Sequence, residues 1–112
     1  VPKEVLTARE VLQAATLDGA YVAGVEDRAG SLTPGKQADI VIIEAKSLNM
    51  APVIDPVAAV VLSADVSNVD TVLVAGQVKK RDGKLLADVD KARADVEASR
   101  DHLLAATAEK RQ

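Results

Sequence analysis

The sequence predicts an α+β fold, and three stretches of the chain carry that expectation. A helix-start signature stands near the beginning, two β-branched runs occupy the middle, and the last two dozen residues repeat their apolar positions every three or four residues. With 112 residues and 48% hydrophobic content, the chain has enough apolar material for a folded core.

The helical start is a capping box. Thr7 is placed to accept from the backbone N–H of Glu10, and the Glu10 carboxylate to accept from the N–H of Thr7. Val11, Leu12, Ala14 and Ala15, with Val5 and Leu6 ahead of them, form the apolar side. Asp18-Gly19 interrupts the pattern, so the expectation is two short helices between Ala8 and Ala23, the second ending at Gly24. Pro34-Gly35 then fits a type II turn, with glycine where φ must be positive, and Ile40-Val41-Ile42-Ile43 follows as a strand. Four consecutive large apolar residues do not alternate with polar ones, so both faces of this strand require cover.

Beyond it, Asp55 is an N-cap candidate with Pro56 at the first helical position, predicting a short helix to about Leu62; Val57, Val60 and Val61 leave a strand as the rival. Val69 to Val74 and Gln77 to Arg81 read as a hairpin about Ala75-Gly76, with a further turn at Asp82-Gly83 before Leu85-Leu86. The expected sheet is small and mostly antiparallel, built from about Ser31, from Ile40 to Glu44 and from Val69 to Lys80. From Asp88 to Glu109 the positions Val89, Ala92, Val96, Ser99, Leu103 and Ala106 make a narrow stripe on an amphipathic helix. Lys91, Arg93, Asp95, Glu97, Arg100 and Asp101 lie mostly off it. The stripe lasts about two and a half heptads, so docking within the molecule is favoured over a dedicated dimerisation rod.

Composition excludes several classes of function. Tyr21 is the only aromatic residue, which leaves little for base stacking, and 14 basic against 17 acidic residues are mixed along the chain, so no nucleic-acid partner is expected. Cysteine is absent, which removes disulfides, thiolate metal sites and thiol nucleophiles and fits a cytoplasmic location. The longest apolar run, Val57 to Leu62, falls far short of the roughly 20 residues of a membrane span. The opening Val1-Pro2-Lys3-Glu4 holds neither an initiator Met nor a signal-peptide pattern, which suggests a start inside a longer product.

No catalytic, cofactor-binding or metal-ligating residue is assigned. His102, the single histidine, sits between Asp101 and Leu103 on the terminal helix and reads as a boundary residue. Asp39 and Asp70 are the most suggestive carboxylates, and each is better explained as a turn cap or an acceptor for backbone donors. Ser31, Ser47, Ser63, Ser67 and Ser99 have no base in a recognisable arrangement and no Gly-x-Ser-x-Gly elbow. Gly30, Gly35, Gly76 and Gly83 form no phosphate-binding string; turns and caps account for them.

The ordered set Ala15-Thr16, Asp18-Gly19-Ala20, Gly30-Ser31-Leu32, Pro34-Gly35-Lys36 and Ala38-Asp39 leading into an apolar strand resembles the segment after the last barrel strand in the amidohydrolase superfamily. Asn68 to Gly76, the Lys80-Arg81-Asp82-Gly83 turn and Ala98 to Leu104 extend the likeness. The tail is similar to the cytosine deaminase, chlorohydrolase and adenosine-analogue deaminase branch.

The resemblance implies that residues 1–24 are terminal helices of a (β/α)8 barrel, 25–87 the C-terminal part of a composite β-sandwich, and 88–112 a C-terminal amphipathic helix. It implies a parent enzyme that deaminates a nitrogen heterocycle with a divalent metal, zinc or iron. The metal ligands would lie upstream of Val1, leaving this segment inactive alone. The partners expected are the missing N-terminal barrel and sandwich segments. A homo-oligomer is also expected, in which a second copy covers the sheet or exchanges the terminal helix about a Lys84 to Asp90 hinge. The alternative is a free-standing, non-catalytic protein-interaction module.

Overall fold

The computed structural model describes residues 5–109. Helices α1 (Ala8–Gln13) and α2 (Gly19–Val22) are joined by a π-helical turn, Ala14–Asp18, into one continuous helical segment. The capping box forms as the sequence predicts: Glu10 N–H donates to Thr7 Oγ1 at 3.2 Å and Thr7 N–H to Glu10 Oε2 at 2.8 Å. The break expected at Asp18-Gly19 does not form. Gly19 keeps right-handed helical angles, and its N–H reaches back to the Ala14 carbonyl, so the wide turn absorbs the residue that would otherwise end the helix. The segment then stops at Gly24, with φ +68°.

The strands β1 (Ile40–Ile43), β2 (Val69–Val74), β3 (Gln77–Arg81) and β4 (Lys84–Leu85) form an antiparallel sheet in the order β1-β2-β3-β4. β1 pairs Ile40 with Leu73 and Val41 with Val72. The two tight turns, Ala75-Gly76 and Asp82-Gly83, carry positive φ at both residues, the backbone geometry whose twist suits a two-residue hairpin. Ser31 is not a strand residue, contrary to expectation. Gly30 (φ +90°) and the type II turn closed by Lys36 N–H on the Thr33 carbonyl (3.0 Å) bend the chain there, and Ser31 Oγ lies 2.8 Å from Thr33 Oγ1.

Between β1 and β2 runs α3 (Pro56–Leu62), which packs against α1. Asp55 decides helix over strand here: its Oδ1 accepts from Val57 N–H (2.9 Å) and Ala58 N–H (3.3 Å), and Pro56 stands at the first turn. A 3-10 turn, Val66–Asn68, leads into β2.

The long helix α4 (Val89–Glu109) corrects a second expectation. It makes no extensive contact with another described element, and every described side chain on it is exposed. Ala, Ser and short Val side chains make its stripe too shallow to hold it against the sheet across the Leu86 to Asp88 connection. With α4 projecting, the radius of gyration is 19.7 Å, against roughly 13 Å for a compact chain of about this length.

The core is correspondingly thin. Among the described residues only Ala20, Met50 and Asn68 are buried. Val41 and Ile42, neighbours in β1 whose side chains point to opposite faces, are 57% and 49% exposed. The strand therefore lacks cover on both sides, as its unbroken apolar run predicts.

Candidate functional site

The main concavity is an apolar cleft of about 610 Å³ between the α1–α2 segment, the loop after it, and β1. Leu12, Ala20, Leu32, Ile40, Ile43 and Val60 supply its apolar lining. The loop wall is pinned by Gln37 N–H on the Arg28 carbonyl (2.8 Å), Lys36 Nζ on the Ala29 carbonyl (3.0 Å) and Val25 N–H on the Ala20 carbonyl (2.9 Å). Gly30 brings that wall against the helix. A Cβ there would stand 2.7 Å from Ala20 Cβ and 3.1 Å from the Thr16 carbonyl oxygen, so close approach as well as positive φ demands glycine.

The polar groups lining the cleft are engaged within the chain. Thr16 Oγ1 donates to the Leu12 carbonyl at 2.7 Å, Ser31 pairs with Thr33, and Asp39 Oδ1 accepts from Ala75 N–H at 2.7 Å. Gly76 N–H, donating to the Ala38 carbonyl at 2.9 Å, completes a clip between the start of β1 and the β2–β3 turn. Asp39 thus does what its sequence position suggests, satisfying a backbone donor, and here it also holds the left-handed Ala75 (φ +51°) in its turn. The cleft is lined mainly by apolar side chains and presents no group arranged to attack or protonate a substrate.

The other residues weighed from sequence are dispersed. Asp70 Oδ2 accepts from Thr71 Oγ1 at 2.8 Å, and His102 lies on the exposed α4. Ser47 and Ser67 donate to carboxylates, Ser47 to Glu44 and Ser67 to Asp65, in local caps without a histidine. Those caps shift the acids. The Ser47 hydroxyl and the Lys46 backbone N–H hold Glu44 below its ordinary value, and the Ser67 hydroxyl and backbone N–H do the same for Asp65. At Glu10 the backbone N–H and hydroxyl of Thr7 act likewise. Among the described residues no three His, Cys, Asp or Glu side chains stand together in a way that holds a metal ion. The residues present do not fit the zinc or iron that the resemblance implies.

Sequence reasoning missed Asn68, the one fully buried side chain among the described residues. Its Oδ1 accepts from Asn49 Nδ2 (2.7 Å) and Asp65 N–H (3.0 Å), while its Nδ2 donates to Asn49 Oδ1 (3.2 Å). Asn49 Nδ2 also donates to the Ser63 carbonyl at 3.0 Å, and Glu44 N–H donates to the Asn68 carbonyl at 2.7 Å. This amide pair ties the end of β1, the exit of α3 and the start of β2. The Asp65-x-x-Asn68 spacing of a capping box was the available signal for half of it; nothing local marks Asn49.

The amidohydrolase family model matches residues 1–79. Over 83 residues, 74% of this chain, the sequence is 41% identical to a 5-methylthioadenosine/S-adenosylhomocysteine deaminase of Caldicellulosiruptor saccharolyticus, covering 19% of that protein. Over 78 residues, 70% of the chain, it is 37% identical to an S-triazine hydrolase of Gordonia rubripertincta, covering 16% of it. A zinc-bound adenosine deaminase from Xanthomonas campestris superposes on 90% of the chain with a TM-score of 0.83 at 32% identity, over 23% of its own length. An atrazine chlorohydrolase from Arthrobacter aurescens, complexed with zinc and atraton, superposes on 87% of the chain with a TM-score of 0.76 at 31% identity, over 21% of its length. The chain thus spans about a fifth of the relatives it matches. With the family match over most of its residues and its fold reproduced at this level of identity, the chain belongs to the amidohydrolase family.

Proposed function

We propose that this chain is the non-catalytic C-terminal part of a metal-dependent amidohydrolase that hydrolyses non-peptide C–N bonds. The parent reaction is deamination of a nitrogen heterocycle through a metal-activated water, with zinc or iron held by residues outside this chain. The carrying observation is the 41% identity to a deaminase of which the chain spans only 19%. The names of the relatives favour a heterocycle, since adenosine and triazine compounds are both nitrogen-rich aromatic rings. Substrate choice belongs to the rest of the protein, as fold alone does not set it.

In this reading residues 1–24 are terminal helices of the barrel, 25–87 contribute strands to a composite sandwich, and 88–112 close the chain. The uncovered faces of β1 and the apolar cleft are where the remaining barrel and sandwich segments dock, in a cytoplasmic enzyme. The chain's own residues hold that surface in shape: Gly30 by close approach, Asp39 by clipping the hairpin turn, Asn49 and Asn68 by joining three segments.

Two experiments test this. The 112-residue chain, supplied with zinc or iron, is expected to turn over neither cytosine, guanine nor adenosine analogues; hydrolysis would overturn the non-catalytic assignment. Substituting these residues for the matching part of the Xanthomonas adenosine deaminase is expected to retain deamination. A folded, zinc-loaded but inactive chimera would count against a purely structural contribution. A barrel-length sequence with a His-x-His motif upstream in the same reading frame is also expected.

A further inference from the structure

Helix α4 is 21 residues long, makes no extensive contact with another described element, and leaves Val96 and Leu103 69% and 61% exposed. A helix of mixed composition gains most of its stability from packing an apolar face, and this one leaves most of that face exposed. Its apolar positions have a strict period: Val89, Val96 and Leu103 recur every seven residues, as do Ala92, Ser99 and Ala106 three places later. These are the a and d positions of three heptads.

The flanking charges say what covers the seam. With Val89 at a, the e positions are Arg93, Arg100 and Thr107, and the g positions, from the residue before the helix onward, are Asp88, Asp95, His102 and Glu109. In a parallel, in-register pair of helices each g residue faces the e residue five places on in the other helix. That sets Asp88 against Arg93 and Asp95 against Arg100, twice each by symmetry. In an antiparallel pair e faces e and g faces g, which sets arginine against arginine and acid against acid. The ion pairs α4 makes within itself, Lys91 with Asp95, Arg93 with Asp90 and Arg100 with Asp101, lie on its exposed surface and are weak enough to re-form across an interface.

We propose that α4 pairs with α4 of a second copy of this chain as a parallel two-stranded coiled coil, with Asp88–Arg93 and Asp95–Arg100 ion pairs fixing its direction. The small residues at d let the helices approach closely but bury little, so the association is of modest strength and salt-sensitive. Leu104, at a b position, stays outside the seam. This inference stands apart from the catalytic reading, because it rests on the heptad register and charges of α4 alone.

The natural chain has no cysteine, so single introduced thiols report geometry cleanly. Ala92→Cys and Ala106→Cys, each in the full 112-residue chain, are expected to form disulfide dimers under mild oxidation. Ala94→Cys, on the outer face, is expected to do so far more slowly. Sedimentation is expected to give a dimer weakened about tenfold by Arg100→Asp and restored by the Asp95→Arg, Arg100→Asp double exchange. Ala92→Cys chains that cross-link to Leu103→Cys chains in preference to copies of themselves would mean an antiparallel pair and overturn the proposal. So would a monomer at micromolar concentration, a dimer unaffected by Arg100→Asp, or equal cross-linking at all three positions.

Discussion

Replacing Asn68 by alanine probes the single buried polar junction among the described residues. The wild-type side chain is fully buried and makes three hydrogen bonds, accepting from Asn49 Nδ2 at 2.7 Å and Asp65 N–H at 3.0 Å and donating to Asn49 Oδ1 at 3.2 Å. Asn68→Ala strands the Asp65 N–H and the Asn49 carbonyl oxygen, while Asn49 Nδ2 keeps the Ser63 carbonyl. A part-buried group left unpaired costs about 1–3 kcal/mol. With two such groups, one of them still near solvent, the expected loss is about 2–4 kcal/mol. In a domain of this size that lowers Tm by roughly 8–32 °C, at 4–8 °C per kcal/mol. The assay is urea or thermal unfolding of the full chain, with Asn49→Ala and the double variant completing a cycle. The reciprocal amide pair requires a coupling energy of about 1 kcal/mol or more between the two positions. Additive effects, or an Asn68→Ala variant melting within about 2 °C of wild type, would refute the claim that this pair ties the three segments.

The remaining expectations can be checked on the same protein. Gly30→Ala should cost well over the roughly 1 kcal/mol of placing a side chain at positive φ, because the new Cβ meets Ala20 at 2.7 Å; Gly35→Ala, at φ +93° with open space, should cost only the backbone penalty, and equal losses in urea melts would contradict the close-approach argument. Asp39→Ala should destabilise by about 1 kcal/mol through loss of the acceptor for Ala75 N–H, with Asp39→Asn retaining part of it. The carboxyls of Glu10, Glu44 and Asp65 all have lowered folded values, so their contribution is fully present above their ordinary range and is lost as pH falls through the lower folded values. Tm is accordingly expected to drop below about pH 4.5, and the gap between wild type and Glu44→Gln to narrow as it does; a gap that widens toward low pH would reverse the sign.

Short-range signals in this chain were legible because their partners lie within a few residues. Thr7 and Glu10, Asp55 and Pro56, and the Ala75-Gly76 and Asp82-Gly83 turns each close their hydrogen bonds locally, and all formed as read. Three features were not legible, each for a different reason. The π-helical turn depends on whether Gly19 ends a helix or is carried through it, which propensity leaves open because glycine's cost in a helix, about 1 kcal/mol, is small beside tertiary packing. Asn49 and Asn68 are 19 residues apart, and side-chain amides carry no periodic mark. The strand expected at Ser31 failed because turn chemistry at Gly30 and Pro34-Gly35 outranked a short polar stretch with no strand partner. For the candidate site, the sequence correctly placed Asp39 as a backbone acceptor, but the cleft beside it draws on α1, α2, α3 and β1 at once and has no one-dimensional signature.

The pattern of exposure separates two kinds of uncovered surface. In β1 the apolar side chains Val41 and Ile42 are about half exposed, one on each face, and the adjoining cleft is walled by residues whose polar groups are already satisfied. Such a surface specifies an apolar, closely fitted occupant and carries little charge information, which suits segments delivered by the same polypeptide, since covalent linkage raises their effective concentration. On α4 the apolar stripe is thinner and is flanked by ordered charges of both signs. Flanking charges add little affinity but discriminate strongly between partners and directions, a property needed when the occupant arrives from solution. In the proposed reading, covering β1 completes the fold, whereas pairing α4 sets how many copies assemble. The two are separable by experiment, because Arg100→Asp should alter the sedimentation of the chain and leave dye binding at the β1 faces unchanged.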